Sequence, residues 1–298
     1  MIQVDVVTQP KTVDLTTVQA FKDELRLTSV NSARDAWLAD RITEASRTIE
    51  DELDRPLTRQ RVRQRFPGSD RQLVSIDVTP IVAVERVRSR GLGDEDLTIT
   101  AFGEEVVRID NREAGLLWHR DGWTSEQLQS VWLTEDAWPG SADRSWEATY
   151  VGGWLTRADD LMASGVTASG SDFVVSDPTS LPLLASGDPV TLSGWLLNRG
   201  RATIVGVDFT TGRITVDKAL TPETGGASAK LVVKNLPATL ERACLDTVRA
   251  WYYSQTRDTT KSSESIGDWS ASWGGSESLS GALPASVMLA LNRYRRWM

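Results

Sequence analysis

The sequence predicts an α+β protein: a helical core with a small antiparallel sheet, plus an inserted all-β (barrel or sandwich) domain. Three observations predict it. Apolar residues recur at helical spacing toward both ends of the chain, over 14–53 and 236–257. From Leu57 the period changes to 2, the spacing of a half-buried strand. From about Gly165 to Val233 the composition shifts to Gly, Ser, Thr and Val, in short alternating runs broken by turn signals.

The elements follow in order. Residues 1–12 read as an extended lead-in. Asp14 suits the N-cap of a short helix to about Arg26, with Leu15, Val18, Phe21 or Lys22, and Leu25 on its inner face. Ser32-x-x-Asp35 resembles a capping box for a longer helix to about Leu53, whose stripe is Leu38, Ile42, Ala45, Ile49 and Leu53. Pro56 ends it. In the strand that follows, Arg59, Arg61, Arg63 and Arg65 point one way and Gln60, Val62, Gln64 and Phe66 the other. Four like charges on one face repel unless acidic groups meet them. This strand is therefore either a solvated edge or a contact with an acidic neighbouring subunit. Further strands are predicted at 72–78, 81–88, 97–101, 106–110, 115–118 and 146–154, the last closing on a Gly-Gly turn.

Within 161–235, short strands are predicted at 173–175, 189–192, 202–209, 212–216 and 230–233. Pro237 then opens a helix to about Arg257, with Leu240, Cys244, Val248 and Trp251 as its stripe. Residues 256–281 are polar and read as an extended, mobile segment. A last short helix starts near Pro284, with Val287, Leu291 and Tyr294 on one side and Arg293, Arg295, Arg296 and Trp297 at its end. Such an end is either an exposed binding anchor or a helix folded back on the core. The domains are thus 1–160, the N-terminal part of the core; 161–235, the β insert; 236–258, the core helix; and 259–298, a C-terminal arm.

Composition excludes several chemistries. Cys244 is the only cysteine, so no intrachain disulfide or cysteine zinc site exists, and its place on an apolar stripe makes it a buried small hydrophobe. His119 is the only histidine, read as a sheet-surface residue. A His-rich metal site is impossible. These absences remove most common hydrolytic and metal chemistries, and no cofactor or metal is expected. The net charge of −8 argues against a dedicated nucleic-acid binder, although an acidic wall can let DNA pass without sticking. No apolar run approaches the ~20 residues of a membrane span, and 1–14 lacks a secretory signal, so folding in a cytoplasm is expected. Six of the twelve tryptophans fall within 118–154. They read as core or interface residues. The alternative is a carbohydrate-binding or glycan-degrading protein that uses these tryptophans, carboxylates such as Glu135 and Asp136, and the β insert.

Four stretches, in this order, carry a family resemblance: LTTVQAFKDELRL with ARDAWLADRITEASRTIEDELDRPL, then ATYVGGW, then LPATLERACLDTVRAWYY, then SIGDWSASW with LPASVMLALNRYRRW. The sequence resembles the phage head–tail connector (adaptor) family over most of 14–154 and 236–298. Members commonly run almost directly from the Gly turn into the Pro-started helix, so the insert is a departure, and an added role in binding a capsid or tail protein is open to it.

The resemblance implies a helical connector core and a non-enzymatic virion protein of the neck, in a tailed bacteriophage or phage-like particle. It implies a ring homo-oligomer, commonly of twelve copies, that docks on the portal protein. Such a ring extends the DNA channel toward the tail or a head-completion (stopper) protein. DNA would pass without sequence-specific binding, no membrane would be involved, and assembly would occur in the host cytoplasm. Carried over by position, portal binding falls on Leu283, Val287, Leu291, Tyr294, Arg295, Arg296 and Trp297. Arg59, Arg61, Arg63 and Arg65 are the candidate subunit interface.

Overall fold

A computed structural model describes residues 3–27, 32–90, 95–97, 107–123, 145–162, 164–254, 263–266, 269–272 and 283–295. Four α-helices lie among them: α1 (Val18–Leu25), α2 (Ser32–Leu53), α3 (Ala238–Ser254) and α4 (Ala285–Leu291). The stripe residues Leu38, Ile42, Ala45, Ile49 and Leu53 of α2 meet Leu240, Cys244, Val248 and Trp251 of α3 in one cluster, completed by Leu15, Phe21, Leu57, Trp154 and Leu236. The two ends of the chain therefore share one hydrophobic cluster.

The start of α1 differs from expectation. Thr17 is its N-cap, accepting from the N–H of Ala20 at 3.2 Å, while Asp14 accepts from the Thr43 hydroxyl at 2.7 Å and ties the lead-in to α2. Asp35, in the first turn of α2, holds Lys22 of α1 at 2.6 Å.

A five-stranded antiparallel sheet stands beside the helices in the order β1-β2-β8-β4-β5, from β1 (Gln3–Thr8), β2 (Gln60–Pro67), β4 (Ile81–Arg90), β5 (Glu95–Leu97) and β8 (Ser145–Gly152). The lead-in is thus a strand, and β2 is not an edge but lies between β1 and β8. A three-stranded sheet, β3-β7-β6, packs against it, from β3 (Leu73–Ser75), β6 (Val107–Asn111) and β7 (Leu116–His119). Their shared core holds Val62, Phe66, Trp123, Trp146 and Tyr150. Gln64, on the inward face of β2, is fully buried and satisfied: it accepts from Tyr150 Oη and the N–H of Asp77 (both 2.9 Å) and donates to Asp77 Oδ2 at 3.0 Å. The predicted run 97–101 lies, beyond Leu97, outside the described residues.

After β8 the chain turns at Gly153 (φ +92°). A Cβ there would sit 2.5 Å from the Thr58 carbonyl oxygen, so only glycine allows this approach of strand end to strand start. The insert then forms one six-stranded antiparallel sheet, β10-β13-β12-β11-β14-β9. Its strands are β9 (Leu161–Met162), β10 (Val166–Val175), β11 (Pro189–Ser193), β12 (Gly200–Asp208), β13 (Arg213–Thr224) and β14 (Lys230–Val232).

The insert is all-β as expected, and its sheet runs open from β10 to β9 as a half-barrel. It is a single curled sheet. The reason lies in β12, which gives Gly200–Thr203 to β11 and Ile204–Asp208 to β13, turning a corner. Register shifts between β10 and β13 add curvature. The concave side encloses its own core, including Phe173, Val190, Trp195, Ile204, Ile214, Val216 and Leu231. Among the described residues of the polar segment after α3, β15 (Ser263–Ile266) and β16 (Trp269–Ser272) pair as a hairpin, where an extended stretch was expected.

Candidate functional site: charged strand, insert junction and terminal helix

The period-2 pattern of β2 puts Arg61, Arg63 and Arg65 on its half-exposed face, opposite Val62, Gln64 and Phe66. Acidic groups do meet them, but from the same chain. Arg61 pairs with Glu85 at 2.8 Å, Arg65 with Glu147 at 2.9 Å, and Arg63 with Asp5 at 3.7 Å. Sheet neighbours on β1, β4 and β8 thus already supply carboxylates to the ladder within the chain. Exposed pairs like these contribute little each, ~0–1 kcal/mol.

Arg59 departs from the ladder altogether. It precedes β2 and is buried against the insert, where its two terminal nitrogens grip both oxygens of Asp188, one at 2.9 Å. The same guanidinium donates to the carbonyls of Leu183 (3.2 Å) and Gly153 (3.4 Å). Asp188 also accepts from the N–H of Ala185 at 2.8 Å and from Asn235 Nδ2 at 3.4 Å. Asn235 in turn brackets the strand entering the insert: its Oδ1 accepts from the N–H of Leu155 at 2.7 Å, and its own N–H donates to the Leu155 carbonyl at 3.1 Å.

A second node lies on α3. Glu241 is buried and receives Arg157 (2.6 Å) and Lys234 (2.5 Å), one from each end of the insert, with the Thr16 hydroxyl at 3.4 Å. Burial alone would raise its pKa, but the hydrogen bonds and charges of Lys234 and Arg157 outweigh burial and hold it below the ordinary carboxylate value. Asp160 accepts from the N–H groups of Val233 and Lys234, at 3.0 and 3.2 Å. Both chain crossings between core and insert are thus locked by buried polar groups. Neither node was legible in the sequence, because Asp188 in a Ser-Gly-Asp turn and Glu241 in a first helical turn look like ordinary local choices.

Of the two alternatives for the terminal helix, the structure shows the one folded back on the core. Val287 and Leu291 are buried in the helical core, and Leu283 and Tyr294 pack partly against it. Arg295 is exposed and pairs with Glu52 of α2. The apolar side of α4 packs on α3, within the cluster that α2 also joins. Its other side carries Leu289, 75% exposed. Arg296 and Trp297 lie outside the described residues.

The remaining candidates are structural. Cys244 is fully buried, and desolvation pushes its pKa up to about 12, so it presents no thiolate near neutral pH. His119 is not on the sheet surface. It is buried between Trp123 and Trp146, with ring centroids 5.2 Å from each, and its Nδ1 accepts from the N–H of Asp121 at 3.2 Å. Trp123, Trp146 and Trp154 are core residues, and Arg108 lies over the ring of the half-buried Trp118 at 4.4 Å. Trp132, Glu135, Asp136 and Trp138 lie outside the described residues. Among the described residues no group of three or more His, Cys, Asp or Glu is placed to hold a metal, and no helix is long and apolar enough to cross a membrane.

No protein-family profile matches the chain, and no curated protein matches it. Among solved structures, the chain is similar to one described as "Neck of empty GTA particle computed with C6 symmetry", at 15% identity, covering 99% of this chain and 96% of that one, with a TM-score of 0.36.

Proposed function

We propose that this protein is a structural, non-enzymatic head–tail adaptor at the neck of a tailed bacteriophage or phage-like particle. It forms a ring, docks on the portal protein, and extends the DNA channel toward tail or stopper proteins. One observation carries this reading. Parts of the stretches that carry the sequence resemblance, far apart in the chain, converge: α1 and α2, Trp154 of the Gly turn, α3, and α4 contribute to one hydrophobic cluster. The insert leaves and rejoins this core at one locked junction, so its addition leaves the shared framework intact. The net charge of −8 suits a channel wall past which DNA slides without counterion-release binding.

With Val287 and Leu291 sealed in the core, portal docking falls to the outward side of the terminal segment, around Leu289, Arg293 and Arg295. The test is co-sedimentation with purified portal rings, followed by negative-stain imaging. Wild-type protein should add a ring beneath the portal. Leu289→Asp with Arg293→Glu should abolish co-sedimentation while keeping the wild-type circular dichroism. Deletion of 283–298 is the wrong probe, since it strips the core. Failure of the wild-type protein to bind portal rings would refute the adaptor reading. Binding that survives the double substitution would refute the docking assignment.

A further inference from the structure

The turn between β11 and β12 holds Leu196 and Leu197 side by side in solvent, 76% and 57% exposed. Large apolar side chains normally reach the surface singly. This pair is also held still. Trp195 is buried beneath it, 5.5 Å from the Phe173 ring, with its Nε1–H donating to the Lys230 carbonyl at 3.2 Å. Gly194 (φ +73°) lies so close to the turn between β13 and β14 that a Cβ would meet the Ser228 oxygen at 2.1 Å. The Glu223 carboxylate accepts the N–H groups of Leu196, Leu197 and Asn198 at 2.7, 3.0 and 3.2 Å. Asn198 and Thr221 exchange two further hydrogen bonds, at 2.8 and 2.9 Å. A turn ordered in this way before any partner arrives gives up little conformational freedom on binding.

Its surroundings are basic. Arg199 adjoins the pair, Lys218 donates to the Arg199 carbonyl at 2.5 Å, and Arg201 and Lys230 flank it on β12 and β14. None of these four cations has an ion pair among the described residues. They form a positive rim on a chain whose net charge is −8, so the complementary surface is abundant on the chain itself.

We propose that this knuckle is a contact between copies of the chain, seated on the outward, acidic face of α2 in a neighbouring copy. That face is a shallow groove lined by Asp40, Thr43, Glu44, Arg47, Thr48 and Asp51, in which Asp40 and Asp51 are exposed and carry no ion pair among the described residues. Thr43, Thr48 and Arg47 line it among carboxylates whose charge complements the cationic rim. Knuckle and groove are different surfaces of one chain, so the contact is head-to-tail, the kind that closes rings with both halves of every copy used. A bilayer is a poorer occupant: two leucines bury less hydrocarbon than one myristoyl chain, itself a marginal anchor. The inference rests on the ring reading above and names its subunit contact.

The test places the photo-crosslinking residue p-benzoylphenylalanine at position 197 in assembled particles. Expected are adducts of two copies of this chain that map to residues 40–51. Arg199→Glu should lower ring yield at least tenfold at physiological salt, and adding Asp40→Arg should recover most of it. Both substituted sites are exposed, so circular dichroism should match wild type. Adducts to another protein or to lipid, no adducts at all, or unchanged ring yield for Arg199→Glu overturn the inference. Wild-type particles that lack a ring of this chain refute the ring reading and this contact with it. Rings whose position 197 crosslinks elsewhere refute this contact alone.

Discussion

Replacing Arg59 by Met tests the junction between core and insert. The side chains of Arg59 and Asp188 are 2% and 6% exposed, and the fork is bidentate. Removing the guanidinium leaves the Asp188 carboxylate with one strong neutral donor, the N–H of Ala185, and a long one from Asn235. Breaking a buried pair from one side typically costs about 3–5 kcal/mol. Replacing Asp188 by Asn instead keeps an acceptor for Ala185 and removes the charge. The double variant, Arg59→Met with Asp188→Asn, should therefore lose about 2 kcal/mol less than the sum of the singles. The assay is limited proteolysis at the junction, cutting near 156–160 and 233–236 under conditions where cleavage tracks opening. A loss of ~3 kcal/mol raises the open population, and the cleavage rate, more than a hundredfold. Urea denaturation followed by circular dichroism gives the matching change in midpoint. If Arg59→Met changes cleavage less than about fivefold, roughly 1 kcal/mol, or if the singles add within ~0.5 kcal/mol, the fork does not hold the junction.

Three further outcomes are expected. Two carboxylates should show opposite pH behaviour: Glu241 has a lowered pKa, so its contribution is present above its unfolded value and is lost as pH falls through the folded one; Glu50, raised chiefly by burial, contributes fully below its unfolded value and loses that contribution as pH rises through the folded one. Glu241→Gln should accordingly destabilise at pH 7 by about 1–3 kcal/mol with the difference shrinking below pH 4, while Glu50→Gln should gain stability relative to wild type between pH 4 and 7, both read by urea midpoints. Leu291→Ala should cost about 2–4 kcal/mol because its side chain is fully buried, whereas Leu289→Ser on the same short helix should stay within ~0.5 kcal/mol; equal effects would refute the seating of α4. Gly153→Ala should destabilise by at least about 2 kcal/mol, since the new Cβ would meet the Thr58 backbone in a left-handed conformation; a melting temperature within a degree of wild type would contradict that geometry.

Much of the fold is written in nearest-neighbour spacing. The apolar stripes of α2 and α3 are buried as their periods predict, because a helical repeat puts such residues on one face whatever they pack against. The alternation of β2 likewise sorts Val62, Gln64 and Phe66 inward and Arg61, Arg63 and Arg65 outward. The curl of the insert was not legible: it depends on β12 dividing its hydrogen bonds between two partners, and a strand's composition does not say where it changes neighbour. The buried face of His119 was hidden for a similar reason, since Trp123 and Trp146 reach it from other segments.

By itself, then, the sequence determined which residues face inward along α2, α3 and β2, and that two helical ends bracket a β-rich middle. Tertiary structure alone decided which carboxylate answers which arginine, and whether the last helix stays or leaves. Arg59 finds Asp188 129 positions away, and nothing local distinguishes that partner from many other carboxylates. Helix α4 is apolar on one side in either state; what settles its place is the cluster that α2 and α3 form only once they have packed. Periodicity is a property of adjacent residues, whereas charge pairing and helix seating are properties of surfaces that exist only after folding.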